Sequence, residues 1–148
     1  MASTVRNAPS GWRSSERAGA MSRRSVQTGR PWEAQGGFSR AVRIGNLVET
    51  SLTSPAAPDG TILYPGDVER QTAASLEIIG EALRELGFDF GDVIKTHIYL
   101  VEAHRWPEAA RAHAAVFADI RPALGFVYMS AFFHPDIAVE VECTAYRP

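Results

Sequence analysis

The run Ile137–Tyr146 near the end of the chain alternates strictly. Val139, Val141, Cys143 and Ala145 fall on one side and Glu140, Glu142, Thr144 and Tyr146 on the other, because successive strand side chains point to opposite faces. Carboxylates resist burial unless paired, so two neighbouring acids on one face must meet water, a cationic partner or a ligand. The rest of the chain therefore has to cover one side of this strand with apolar residues and give the acidic side a polar wall. A second strand-like run, Leu124–Met129, precedes it, and the two are joined by a loop through His134-Pro135-Asp136, where proline and aspartate are ordinary turn residues.

The strands that would neighbour this one are readable upstream. Phe38–Val42 and Asn46–Thr53, with the turn signal Gly45-Asn46 between Ile44 and Leu47, predict a β-hairpin. A Pro- and Ala-rich loop through Pro55–Gly60 leads to a short extended piece, Thr61–Tyr64. The period then changes. Asp67 can cap a helix running through Glu85, with Leu76, Ile79, Leu83 and Leu86 as a single apolar stripe and Gly87 as its stop. Val93–Val101 reads as a strand with Lys95, His97 and Tyr99 on one face and Ile94, Thr96, Ile98 and Leu100 on the other. A second helix spans about Arg105 to Ile120, with Pro107 in its first turn and Trp106, Ala110, His113, Phe117 and Ile120 as its stripe. The order is ββαβαββ, an α+β fold with one sheet and two helices on one of its faces. The other face, carrying Lys95, His97, Tyr99, Glu140, Glu142, Thr144 and Tyr146, is left uncovered, which predicts that other copies of the chain close it in a homo-oligomer.

Residues 1–31 show neither periodicity and are rich in Ser, Arg, Ala and Gly, so they are expected to form a flexible extension, with residues 32–148 as a single domain. Met21 is an alternative start. The extension's Arg- and Ser-rich, acid-poor composition also resembles a transit peptide, but it lacks an amphipathic helix. Charge divides along the same line: residues 1–30 carry six Arg and one Glu, and the remainder nine Lys/Arg against sixteen Asp/Glu, a balance of −7. An acidic domain does not suit phosphate backbones, so nucleic acid is not an expected partner. The longest uncharged apolar run, Ala123–Phe133, is far short of the ~20 residues a bilayer requires. The lone cysteine, Cys143, rules out an intrachain disulfide and points to a reducing, cytoplasmic setting, and its place on the apolar side of its strand predicts an inert core thiol.

The ββαβαββ order combines with a series of local strings. Gly36-Gly37-Phe38-Ser39-Arg40-Ala41-Val42-Arg43-Ile44-Gly45-Asn46-Leu47-Val48 opens the hairpin, Glu85-Leu86-Gly87 ends a helix, and Asp92-Val93-Ile94-Lys95-Thr96 enters a strand. Arg121-Pro122-Ala123 and Val139-Glu140-Val141-Glu142 complete the set. Together they resemble the Rid family, also called the YjgF family, over roughly residues 36–147. The resemblance implies a chorismate-mutase-like fold, a homotrimer whose sheets form a central barrel, and three intersubunit clefts. In the best-known members such clefts hydrolyse enamines and imines to ketones and ammonia, with no metal or organic cofactor.

Carried over residue by residue, the resemblance places Glu140 on the acid that activates or orients water and Ser51 on a serine lining the cleft. Phe38 stands where the family has a tyrosine, Ala110 where it has an asparagine, and Phe126 where it has a cysteine. The largest departure is Leu124, in place of an arginine that grips a substrate carboxylate; leucine cannot form that bidentate pair. The expected cleft is accordingly more apolar, lined by Phe38, Leu124, Phe126 and Tyr128, with Arg121 or Arg43 as candidates for a displaced cation.

For Glu140 two readings stand side by side: a general acid or base whose pKa is raised by apolar walls, or a solvating acid paired with Lys95 or a cation of another subunit. His97 reads as a proton shuttle or as a barrel-lining residue bonded to Glu140 or Glu142. His113 reads as a satisfied core histidine, and His104 and His134 as solvated loop residues. No metal is expected, because the four histidines lack ligand spacing, and no phosphate loop or nucleophile elbow is present. Three functional classes follow. One is an imine or enamine hydrolase with Glu140, Ser51 and His97 as its catalytic set, another a non-catalytic small-molecule or partner-binding protein, and the third an RNA-cleaving enzyme, which the acidic balance disfavours.

Overall fold

The hydrophobic periods of the sequence set out most of the architecture seen in the computed structural model, which describes residues 22–148. Strand β1 (Arg23–Val26) and helix α1 (Pro31–Gly36) come first, followed by the hairpin β2 (Ala41–Ile44) and β3 (Leu47–Thr50). Helix α2 (Val68–Glu85), strand β4 (Val93–Leu100), helix α3 (Trp106–Phe117), strand β5 (Ala123–Tyr128) and strand β6 (Val139–Tyr146) complete the chain. The six strands form one sheet in the order β1-β2-β3-β6-β4-β5, antiparallel except for the β4–β5 pair. From residue 38 onward the order is the ββαβαββ expected.

Helix α2 begins where Asp67 accepts a hydrogen bond from the Arg70 amide, and it stops at Gly87, whose φ of +81° suits glycine. Leu76, Ile79, Leu83 and Leu86 are buried as a stripe and pack with Ala109 and Phe117 of α3 onto the side of the sheet carrying Val139, Val141, Cys143 and Ala145. Gly80 admits the Phe90 ring: a Cβ there would lie 2.7 Å from it. Buried Gln71 holds the segment before β6, donating to the Leu63 and Asp136 carbonyls and accepting from the Ala138 amide.

Three expectations are corrected. The extension was drawn to residue 31, but β1 pairs antiparallel with β2 from Arg23 opposite Ile44 to Val26 opposite Ala41. Order reaches back at least to that strand because the ladder, rather than any periodicity of its own, holds it. Residues 1–21, including the alternative start Met21, lie outside the described residues. Secondly, a register shift between Val93 and Lys95 turns Val93 inward and leaves Ile94 52% exposed, where Ile94 was expected on the apolar side. Finally, the buried stripe of α3 is Ala109, Ala112, His113 and Phe117, while Trp106 lies half exposed, edge-on to Phe126. Among the described residues there are thus three α-helices, the short α1 in addition to the two that cover the sheet.

Candidate functional site

The acidic side of β6 is not uniform, and the difference comes from what each neighbouring strand supplies. In register, Glu142 lies opposite His97 and Glu140 opposite Tyr99. Tyr99 nevertheless gives its hydroxyl to Glu142, at 2.8 Å, and His97 Nδ1 lies 3.4 Å from the same carboxylate oxygen. Glu142 is thereby partnered and partly solvated. Glu140 is 5% exposed, and its partner is Ser54, whose hydroxyl donates to Oε1 at 2.5 Å.

Ser54 reaches Glu140 through a slip in the β3–β6 ladder. Glu49 pairs with Thr144, but beyond it the Thr50 hydroxyl takes the bond from the Cys143 amide, and Thr53 then bridges Val141. That slip carries the chain past the end of β3 and sets Ser54 beside the next residue of β6. Ser51, the serine expected in the site, is turned away and donates to the Ser39 carbonyl at 2.6 Å.

Glu140 and Ser54 open into a cavity of about 250 Å³. Its apolar walls are Trp32, Phe38, Leu52 and Phe133, with Trp32 and Phe133 in edge contact at 4.9 Å. Its third polar residue is Arg40, 3% exposed. Arg40 Nε donates to Glu33 at 3.2 Å, while Nη1 donates to the Leu52 carbonyl at 3.2 Å and the Thr53 hydroxyl at 3.3 Å. Glu33, itself buried, also accepts from the Thr28 amide and hydroxyl. Burial works against the Glu33 charge, but these bonds outweigh it and hold its carboxyl below the usual range. Glu140 moves the other way. Burial disfavours its charge, and the Ser54 bond and the Arg40 guanidinium only partly compensate, so its pKa is raised. A carboxyl held part-way toward neutrality can both give and take a proton, which is what general acid–base chemistry requires.

Of the remaining expected residues, all but one lie elsewhere in the protomer. Phe38 is in the cavity. Leu124, Phe126 and Tyr128 pair in parallel with Thr96, Ile98 and Leu100, whose side chains are buried under the helices, and so share that face of the edge strand, opposite to Glu140. Arg121 donates to the Ala118 carbonyl and Arg43 to the Gly45 and Leu86 carbonyls, so neither stands by Glu140. His97 is on the Glu140 face but belongs to the Glu142 cluster. His113 is buried against Thr96 Oγ1 at 2.9 Å, as a core histidine. Among the described residues no group of three His, Cys, Asp or Glu side chains could hold a metal, and no helix is long and apolar enough to cross a membrane. Sequence reading missed Trp32, Arg40 and Ser54. Arg40 stood within the hairpin string, but nothing local distinguishes a buried arginine from the exposed Arg found at many strand ends.

Comparison with known proteins places this geometry in context. The family model described as Endoribonuclease L-PSP matches residues 28–147. A crystal structure from Mycobacterium tuberculosis, of a member of the YjgF/YER057c/UK114 family, superimposes with a TM-score of 0.77 at 37% identity, covering 85% of this chain and all of that one. An uncharacterized Streptomyces coelicolor protein is 35% identical over 84% of this chain and 92% of its own length. The mouse 2-iminobutanoate/2-iminopropanoate deaminase is 27% identical over 83% of this chain and 90% of its own. With matches of this extent and a chorismate-mutase-like fold, the chain belongs to the Rid (YjgF) family.

Proposed function

We propose that the protein hydrolyses an imine or enamine to a carbonyl compound and ammonia, in a cleft formed between copies of the chain, with Glu140 moving the protons. The observation that carries the reading is a carboxyl that is 5% exposed, raised in pKa by burial, and set in an apolar-walled cavity. In its neutral form Glu140 protonates the imine nitrogen and makes the carbon electrophilic. The resulting carboxylate takes a proton from the attacking water as the C–O bond forms. It returns that proton to the nitrogen and, as the C–N bond breaks and ammonia leaves, takes the proton of the carbinol hydroxyl, whose oxygen becomes the carbonyl, so the acid is regenerated each turn. Ser54 fixes the carboxyl by donating to one oxygen and leaves the other for these transfers. Ser51 and His97 keep at most an indirect part, through the Ser39 carbonyl and the Glu142 cluster.

The cleft reading rests on the two faces of the sheet. Glu140 lies on one and Leu124, Phe126 and Tyr128 on the other, so those residues meet only if a neighbouring copy supplies the second set. The half-exposed Tyr128 and Tyr146 and the 61% exposed Phe133 are the surface such copies would cover. A homotrimer with a central barrel meets that requirement, and size-exclusion chromatography with light scattering reads it directly. The walls Trp32, Phe38, Leu52 and Phe133 favour a substrate with an aromatic or aliphatic body.

Ammonia release from imines generated in place by an amino-acid or amine oxidase tests the activity. The native protein is expected to accelerate release from an aromatic imine, and Glu140→Gln to lose roughly 10²–10⁴-fold, the usual worth of a positioned acid–base group. No acceleration over spontaneous hydrolysis, or full activity in Glu140→Gln, would sink the proposal in favour of ligand binding without turnover.

A further inference from the structure

Leucine at position 124 leaves the cleft without the cation that grips a carboxylate, yet the Glu140 cavity contains an arginine of its own. A guanidinium has five N–H donors. In Arg40 the Nε hydrogen goes to Glu33, and Nη1 serves the Leu52 carbonyl and the Thr53 hydroxyl. Nη2 has no partner among the described residues. It is also not a sealed atom, since Ser75 Oγ is the one fully enclosed side-chain polar atom left without a bond among them. Arg40 is 3% exposed and is one of the residues lining the cavity, which is where an unbonded guanidinium N–H would meet a ligand. Glu140 is in the matching position: Oε1 is held by Ser54, and Oε2 is unpartnered among the described residues.

The other arginines considered for this role lie away from Glu140. Arg30 donates twice to the Ala56 carbonyl and lines a different cavity, Arg43 is tied to two carbonyls over the Phe88 ring, and Arg121 bonds the end of α3. Arg40, in contrast, is pinned on three donors and has its Cζ 5.5 Å from the centre of the Phe38 ring, so its remaining donors are aimed before any ligand arrives.

We propose that Arg40 is a substrate-binding residue whose free Nη2 takes the carboxylate of a 2-oxo or 2-imino acid, supplying from the position just before β2 the cation that position 124 lacks. The inference rests on the Glu140 cavity being the substrate site. It adds a charged handle to the apolar walls, so that the favoured ligand has an aromatic or aliphatic body and a carboxylate at the end next to Arg40. Glu33 neutralises the guanidinium from the Nε side and does not occupy Nη2. A bound carboxylate is tolerable beside Glu140 when that group is in its neutral form, the form that donates to the nitrogen.

The test is calorimetric binding of two non-reacting probes to the full-length protein, phenylpyruvate and phenylacetone, which share the ring and ketone and differ in the carboxylate. Phenylpyruvate is expected to bind at least tenfold tighter than phenylacetone to the native protein, and Arg40→Gln to erase the difference. Arg40→Lys retains a charge without the fork, so an intermediate preference is expected. The comparison within the native protein stands even if Arg40→Gln fails to fold. Equal binding of the two probes by the native protein, binding of neither, or a folded Arg40→Gln that still prefers phenylpyruvate overturns the assignment. Accelerated ammonia release from a carboxylate-free aromatic imine, with no preference for phenylpyruvate, would overturn Arg40 alone. A clear phenylpyruvate preference without ammonia release from any imine would overturn the hydrolase reading alone.

Discussion

Replacing Glu33 by alanine isolates the buried ion pair beneath the cavity. Glu33 and Arg40 are 4% and 3% exposed, and the carboxylate is also the acceptor for the Thr28 amide and hydroxyl. In Glu33→Ala the guanidinium remains buried with two neutral acceptors and no counter-charge, a situation that costs about 3–5 kcal/mol. The orphaned Thr28 amide is part of the same local loss and is not added to it. Against a typical total of about 5–15 kcal/mol this is a large share. With a urea slope of about 2 kcal/mol/M, the midpoint should fall by roughly 1.5–2.5 M, measured at one fixed protomer concentration. The double variant Glu33→Ala/Arg40→Met removes both charges and should be more stable than Glu33→Ala alone, because no unpaired charge is left in the interior. The pH dependence has a definite sign. The folded pKa of Glu33 lies below its ordinary 4.5, so its contribution is complete above that value and is lost as pH falls through the depressed one. A Glu33→Ala protein within about 1 kcal/mol of the parent, or strictly additive effects in the double variant, would refute the account of this pair as a buried, mutually dependent unit.

Glu140 should show the opposite linkage. Its raised pKa means the native state holds a proton that the unfolded chain releases, so stability declines as pH rises from the ordinary carboxylate range through the folded value. Thermal melts of Glu140→Gln, which retains an acceptor for Ser54, should gain on the parent at pH 8 and lose that advantage at pH 4. His113, lowered by burial, should destabilise the fold on acidification below about 6.5, and His113→Leu should flatten the melting temperature between pH 7 and pH 5. Burial pushes the Cys143 thiol up to about 12, so a thiol reagent should label it only in step with global unfolding; rapid labelling of the native protein would contradict that placement.

What could be read from the sequence was whatever is encoded in a period or a cap. The strict alternation of β6, the stripe of α2 with Asp67 and Gly87 at its ends, and the Gly45-Asn46 turn each state a local geometry that packing then keeps. Strand β1 states none. Arg23, Arg24 and Ser25 are all exposed, and only Val26 is buried, so its existence depends on the ladder with β2 and on nothing nearby in the chain. The outward turn of Ile94 has the same origin, a shift in pairing that its own strand's pattern does not contain. In the site, Glu140 was legible because an acid in an alternating strand poses a question by itself. Ser54 was not, since the resemblance pointed three residues earlier and an unbroken ladder would set Thr53 opposite Glu140; the one-residue slip against β6 brings Ser54 there instead. Trp32 and Arg40 were missed because each is placed by tertiary contacts, Trp32 by its edge contact with Phe133 and Arg40 by a bond network running from Thr28 to Thr53.

The first strand also has a protective duty. Because β1 occupies the end of the sheet, the β2 backbone is paired on both sides, and the outermost ladder is a four-residue strand bearing two arginines. Short, cationic borders of this kind discourage one sheet from annealing to another. A version of the protein begun at Gly36, where the family-like strings start, would bare the β2 backbone and remove Trp32 and Glu33 at the same stroke. Such a fragment is expected to precipitate or form fibrous assemblies, so expression tags belong ahead of Arg23.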